Sequence, residues 1–310
     1  MLICIGEILV DIFDDGKQKT IMPGGAPFNV ACNALLYTPN VTFFGAVGND
    51  DNGRLLIDTV NSKGFNKPYI KVLDDRYTSR AIVTLSNGER SFRFERDGGA
   101  DYCLDIHDID LSTIKDDDII HIGSLMLSYE KGRDFYYQLI KSIRAYSKAK
   151  ISFDINYRDD IFSSPKEAKN IFLSALKEAD ILKFSEEEIS LFYKEADIAK
   201  ALDELLSPHQ IAVVTLGSKG STYYHHGHIV HVDTYPVKPI DTTGAGDAFY
   251  SYFLSSLINH PSFINDDEQI KHYLSRANAV GGLATLKKGA IGSAPTEEMI
   301  DSFIDSQNHL

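Results

Sequence analysis

Cysteine is scarce in this 310-residue chain: Cys4, Cys32 and Cys103 are the only three, and none belongs to a Cys-x-x-Cys pair. An odd, scattered set without zinc spacing excludes a disulfide framework and reads as reduced, buried thiols of a cytoplasmic protein. Long apolar runs are missing too, since no uninterrupted stretch approaches the ~18 residues a membrane span needs. The opening Met1-Leu2-Ile3-Cys4-Ile5-Gly6-Glu7 has no basic segment and carries an early acid, which is unlike a signal peptide. Basic excess is also absent: 31 Lys and Arg face 44 Asp and Glu, for a formal charge of −13. That balance argues against nucleic acid and anionic membranes as partners, because both call for a net basic face. A local phosphate site remains compatible with it. Two familiar nucleotide signatures are lacking as well. No GxxxxGK[ST] loop occurs, and Gly244-x-Gly246 has Phe249 where a dinucleotide fingerprint needs its third glycine.

What is present is an ordinary globular balance, 43% hydrophobic and 24% charged, in a chain long enough for one large domain over residues 1–310. Short apolar runs at 2–10, 41–47, 119–122, 151–155, 181–184 and 211–216 alternate with helical patterns such as 27–37, 133–146, 165–177 and 198–206. Near-continuous apolar strands separated by helices predict an α/β fold: a three-layer sandwich with a mostly parallel central sheet covered on both faces. Two stretches break the rhythm. Residues 79–86 and 91–95 alternate around Asn87-Gly88, a strong hairpin signal, and 12–21 alternate around Asp15-Gly16. Together they predict a small antiparallel β lid formed by about 12–22 and 76–97, or else a decorative edge. A third hairpin at 220–232 carries His225, His226, His228 and His231. Strand alternation divides these histidines between two faces without a helical i, i+4 pair or partner cysteine, which favours a polar edge hairpin over a metal centre.

Chemistry concentrates in two segments. Asp241-Thr242-Thr243-Gly244-Ala245-Gly246-Asp247 runs directly into an apolar helical stretch, 248–258. Small residues at a helix start leave backbone amides open to an anion, and Asp247 falls in the first turn. That aspartate is either a general base beside a phosphate cradle or a plain complement to the helix dipole. The second segment is Pro23-Gly24-Gly25-Ala26-Pro27-Phe28-Asn29. Its glycines admit a ligand to the backbone, Pro27 suits a first helical turn, and Asn29 offers a donor and an acceptor to a hydroxyl. Asp11, at the end of the first apolar run, faces the crevice that forms at strand carboxyl ends. A carboxylate, an amide and open backbone together suit a sugar.

Both segments, in this order and at this separation, resemble the two signatures of the ribokinase-like (PfkB-type) sugar kinase family. The first continues through Phe44-Gly45-Ala46-Val47-Gly48-Asn49-Asp50 to Gly53, and the resemblance covers nearly the whole chain. It implies an ATP-dependent kinase in which Asp247 is the catalytic base and Gly244, Ala245 and Gly246 form the anion hole. It further implies ATP contacts at Thr215, Gly217, Ser218 and Gly220, and at Lys287 and Gly289 on the adenine side. The family's magnesium-organising Asn-x-x-Glu element appears as Ser185-Glu186-Glu187-Glu188, so that Glu188 keeps the acid while Ser185 replaces the amide. Asp241, Thr243 and Ser293 match positions that can hold a monovalent cation such as K+. Within the family, residues 5–11, 88–101 and 153–158 look most like fructokinases. That likeness adds Phe94, Arg96 and Arg158 to the sugar contacts Asp11, Gly24, Gly25 and Asn29, and implies D-fructose 6-phosphorylation. Kinases of 2-keto-3-deoxygluconate or ribose are the neighbouring alternatives, and a non-catalytic sugar-binding regulator is the alternative of another class. The family also implies a homodimer through the lid.

Overall fold

Period-two alternation sorts the first strand between two cores. Leu2 and Cys4 enter one hydrophobic cluster, and Ile3 and Ile5 enter a second on the opposite face. The same split recurs at Ile211 and Val213 against Ala212 and Val214. A sheet buried on both faces follows, as the continuous apolar runs require. The structure, a computed structural model, describes residues 1–14, 19–86, 89–193 and 197–308.

Thirteen strands are described: β1 (Leu2–Ile5), β2 (Leu9–Asp14), β3 (Lys19–Gly24), β4 (Val41–Gly48), β5 (Tyr69–Leu73), β6 (Arg80–Ser86), β7 (Glu89–Glu95), β8 (Ile119–Ile122), β9 (Lys150–Asp154), β10 (Ile181–Ser185), β11 (Ile211–Thr215), β12 (Ser221–His225) and β13 (His228–Val232). The helices are α1 (Ala26–Ala34), α2 (Asp51–Ser62), α3 (Glu130–Tyr146), α4 (Pro165–Leu176), α5 (Glu186–Phe192), α6 (Ile198–Leu205), α7 (Ala245–Asn259), α8 (Asp267–Ala284) and α9 (Glu297–Asn308). Nine strands form one sheet in the order β13-β12-β11-β10-β9-β8-β1-β4-β5. All its pairs are parallel except β11–β12 and β12–β13. Buried residues of α1, α2, α7, α8 and α9 pack on one face, and those of α3, α4, α5 and α6 on the other. This is the three-layer α/β sandwich that the alternating pattern predicts.

The apolar run 2–10 is not one strand. Gly6 takes φ +147 and the chain leaves the main sheet, so that β2 begins a second, four-stranded sheet ordered β3-β2-β6-β7. Asp11 therefore lies on the second sheet and not at the end of the first strand. Both hairpins are antiparallel internally, and a parallel pairing of β2 with β6 joins them. The turns expected at Asp15-Gly16 and Asn87-Gly88 lie outside the described residues. The histidine hairpin extends the main sheet as its antiparallel edge, with His228 bonded to Asp267 and His231 to Thr222 and Asp233. Among the described residues no group of three or more His, Cys, Asp or Glu could hold a metal ion, and no helix is long and apolar enough to cross a membrane.

A buried polar network secures the root of the second sheet. Asp50 caps α2 at the Gly53 amide and also binds the amide and hydroxyl of Thr78. One residue on, the Ser79 hydroxyl donates to Asp101, whose other oxygen takes Arg96 at 2.5 and 2.9 Å. Thus the residues that enter β6 and leave β7 are both tied to the body of the molecule.

Candidate active site

The two glycine-rich segments meet because α1 and α7 pack side by side. Each helix starts at a glycine that a side chain could not replace. Gly25 takes φ +110 against the Glu7 carbonyl, and Gly244 takes φ +75 against Ala290. Across 218 residues of chain, Asn29 Nδ2 donates to Asp247 Oδ2 at 2.8 Å. Asp247 Oδ1 carries no hydrogen bond among the described residues, and Asn29 Oδ1 is buried without a partner. The amides of Gly246 and Asp247, the second and third of α7, likewise lack an acceptor there, as the first N–H groups of a helix do. The Ala245 amide differs from the expected cradle, for it is turned to the Thr242 carbonyl at 3.2 Å.

Asp247 lines a cavity of about 630 Å³ together with Thr243, Gly244, Gly246, Lys183 and Arg158. Burial pushes its carboxyl up to about 6; Asp154 adds to the rise, while the Asn29 hydrogen bond, Lys183 and Arg158 oppose it. Asp11 is likewise pushed up to about 7, first by burial and then by the nearby Asp247 charge, with Arg158 opposing. Gly24 lies against the Asp11 carboxylate with no room for a Cβ. Arg158 is exposed and its guanidinium donates to the Tyr157 carbonyl at 2.9 Å.

Two groups in this region were not singled out from the sequence. Lys183 and Asp154 form a buried ion pair at 2.9 and 3.0 Å, on adjacent strands β10 and β9. Burial works against the Lys183 charge, yet Asp154 and Glu188 outweigh it and raise the ammonium pKa. A lysine in Ile181-Leu-Lys-Phe184 and an aspartate in Ile151-Ser-Phe-Asp-Ile155 are the available signal, each a charge inside a strand buried on both faces. Glu188 lies beside them. Its oxygens accept the amides of Ser185 at 2.7 Å and Tyr157 at 2.8 Å, while Ser185 Oγ accepts the Glu188 amide in return, which makes a capping box. Serine replaces the family's amide here, and it acts as the helix cap.

The remaining expected residues divide. Thr215 ends β11, paired in register with Ser185, and the turn after it exposes Gly217 and Ser218 before Gly220, which closes against Val232 at φ +95. Asp241 accepts Thr243 at both amide and hydroxyl and, through its other oxygen, the Gly289 amide at 3.1 Å. Ser293 donates to the Ala290 carbonyl, and Lys287 is exposed. Phe94 and Arg96 are not brought to the cavity of Asp247. They line a neighbouring one of about 510 Å³ under the second sheet, and Asp160 lines both. Arg96, expected as a sugar contact, is 3% exposed; its donors go to Asp101 and Ser128, and its plane lies over Tyr102 and Tyr129.

Comparison with known proteins places the chain among relatives of the same fold. The pfkB family carbohydrate kinase profile matches residues 1–297. Probable fructokinase-3 of Arabidopsis thaliana is 32% identical over 318 residues, covering 99% of this chain and 92% of that protein. Among solved structures, fructokinase of Vibrio cholerae O395 with fructose, ADP and a calcium ion superposes with a TM-score of 0.86 at 32% identity, over 97% of this chain and 98% of that one. Fructokinase of Xylella fastidiosa with bound ATP gives a TM-score of 0.89 at 26% identity, over 99% and 98%. A profile match across almost the whole length, on a chain whose two glycine-led helices join Asn29 to Asp247, places this protein in the pfkB family of carbohydrate kinases.

Proposed function

We propose that this protein is a fructokinase that transfers the γ-phosphoryl group of ATP to the 6-hydroxyl of D-fructose. The observation that carries the chemistry is the Asp247 carboxylate: one oxygen is oriented by Asn29, the other is open to the cavity, and unpaired helix amides adjoin both. The choice of fructose rests on likeness to fructokinases along the full chain.

In this reading the hydroxyl oxygen bonds to the γ-phosphorus, the bond to the bridging oxygen breaks, and ADP leaves with the electron pair. Asp247 Oδ1 orients the hydroxyl and receives its proton. The transition state is loose, so positioning and charge stabilisation dominate, and a modestly raised aspartate is base enough when the proton moves late. The amides of Gly246 and Asp247 face the transferring group, and the Ala245 amide, held by the Thr242 carbonyl, does not join them. Asp11, Gly24, Gly25, Asn29 and Arg158 hold the sugar, and Phe94 closes from the second sheet, which acts as the lid. Arg96 serves the lid root and not the sugar. Thr215, Gly217, Ser218, Gly220, Lys287 and Gly289 border the nucleotide.

Magnesium is implied by the family. Glu188 is the acid proposed to organise it through water; its oxygens already accept the Ser185 and Tyr157 amides, and no three-ligand cage is found among the described residues, which fits an ion held mainly by phosphates and water. When bound with ATP it neutralises phosphate charge. Asp241, Thr243 and Ser293 are the proposed surroundings of a monovalent cation such as K+. A cytoplasmic homodimer joined through the lids completes the reading.

ADP release with Mg-ATP against fructose, ribose, 2-keto-3-deoxygluconate, glucose and adenosine tests the proposal. Fructose is expected to turn over fastest, with Asp247→Asn lowering kcat by roughly 10²–10⁴. A different preferred sugar would correct the substrate, and an Asp247→Asn protein as active as the parent would remove the base.

A further inference from the structure

Lys183 is hard to explain as a stabilising residue. Burying an ammonium and a carboxylate costs several kcal/mol each in desolvation, and apolar replacements of such pairs are often neutral or better. The pair is nevertheless built into adjacent parallel strands at the carboxyl edge of the sheet, on the side that faces α7. An ammonium has three N–H donors. Nζ directs them at Asp154 Oδ1 and Oδ2, at 3.0 and 2.9 Å, and no other acceptor is found among the described residues. Lys183 also lines the cavity of Asp247. A Cβ placed on Gly246 would lie 3.5 Å from Lys183 Nζ, so the absence of a side chain there leaves the ammonium open to the amide cradle.

We propose that Lys183 is a further catalytic residue: its ammonium, aimed by Asp154, hydrogen-bonds an equatorial oxygen of the transferring phosphoryl group beside the Gly246 amide. Asp154 is a positioning residue that acts through it. Charge grows on those oxygens as the bond to the bridging oxygen breaks, and a fixed, buried cation stabilises that charge more than the ground state. Lys183 keeps its proton throughout, because the hydroxyl proton goes to Asp247. The inference rests on the phosphoryl-transfer reading of the cavity.

The test compares the parent, Lys183→Met and the double variant Asp154→Asn/Lys183→Met in steady-state transfer from Mg-ATP to fructose, with thermal melting of each. In Lys183→Met, kcat is expected to fall about 100-fold while the KM for fructose stays within about threefold. That variant leaves Asp154 buried and unpaired, so it is expected to melt lower; the double variant removes the stranded charge and is expected to regain the melting temperature but not kcat. Recovery of kcat in the double variant would assign the pair a structural role and overturn the inference. So would a Lys183→Met protein with kcat near the parent's. A parent inert on every sugar overturns the kinase reading and this inference with it, whereas an active parent with unaffected variants overturns this inference alone.

Discussion

Asp247 depends on one hydrogen bond and a ring of charges. Burial, and after it Asp154, pushes its carboxyl upward, the Asn29 bond, Lys183 and Arg158 pull it down, and Asp11 faces it from the second sheet. With the carboxyl pushed up to about 6, kcat/KM for fructose is expected to rise with pH through about 6 as Asp247, the proposed base, loses its proton. Asn29→Leu removes the bond that favours the carboxylate. The limb should therefore move to higher pH, together with a loss of kcat at neutral pH. A full pH profile of parent and variant checks both the sign and the position. A limb that moves to lower pH in Asn29→Leu would mean that Asn29 does not hold the charged form.

Helix starts and sheet roots are where elements become sites. Ser185, which stands where the family has the amide of its magnesium-organising element, closes the first turn of α5 with Glu188. Ser185→Ala is expected to lower stability by about 1 kcal/mol, as loss of a helix cap does, read as a shift in the urea midpoint. Arg96 behaves similarly at the root of the second sheet, since its charge is paired inside the protein with Asp101. Arg96→Met strands that carboxylate and should destabilise by about 3–5 kcal/mol, whereas Arg96→Met/Asp101→Asn should recover most of the loss. A sugar-contacting arginine would give the opposite pattern, a stable variant with a raised KM. Denaturant unfolding alongside fructose kinetics separates the two.

Acid groups held deep in the molecule make its stability depend on pH. Glu7 is fully buried, its two oxygens have no hydrogen-bond partner among the described residues, and burial pushes its carboxyl up to about 8 from an ordinary 4.5. Between those values the folded protein keeps a proton that the unfolded chain has lost. The contribution of Glu7 is thus complete below about pH 4.5 and declines as pH rises through about 8. Glu7→Gln has no such slope. Its melting temperature relative to the parent's should climb from pH 5 to about pH 8 and level off above it, and a constant difference across that range would show that Glu7 is ionised throughout. At the same scale, light scattering at micromolar concentration should give twice the 34.5 kDa chain mass if the lids pair between subunits. A monomer would remove that pairing.

Local pattern was enough for the sandwich, the two hairpins and both glycine-led helix starts. Burial on both sheet faces leaves continuous apolar runs, and positive-φ turns leave glycines, so each feature is written within a few residues. The break at Gly6 was not legible, because Ile8, Leu9 and Val10 are as apolar as Leu2 to Ile5 and only the position of β6 draws them into another sheet. Neither was the fate of Arg96: a charged residue after an alternating strand looks the same whether it meets a sugar or an internal acid. The Lys183–Asp154 pair and the Asn29–Asp247 bond join residues 29 and 218 positions apart. The chain order places each partner on a strand or helix start, but only the packing of α1 against α7 and of β9 beside β10 brings them within hydrogen-bond distance, and pairing across that distance turns separate polar residues into one site.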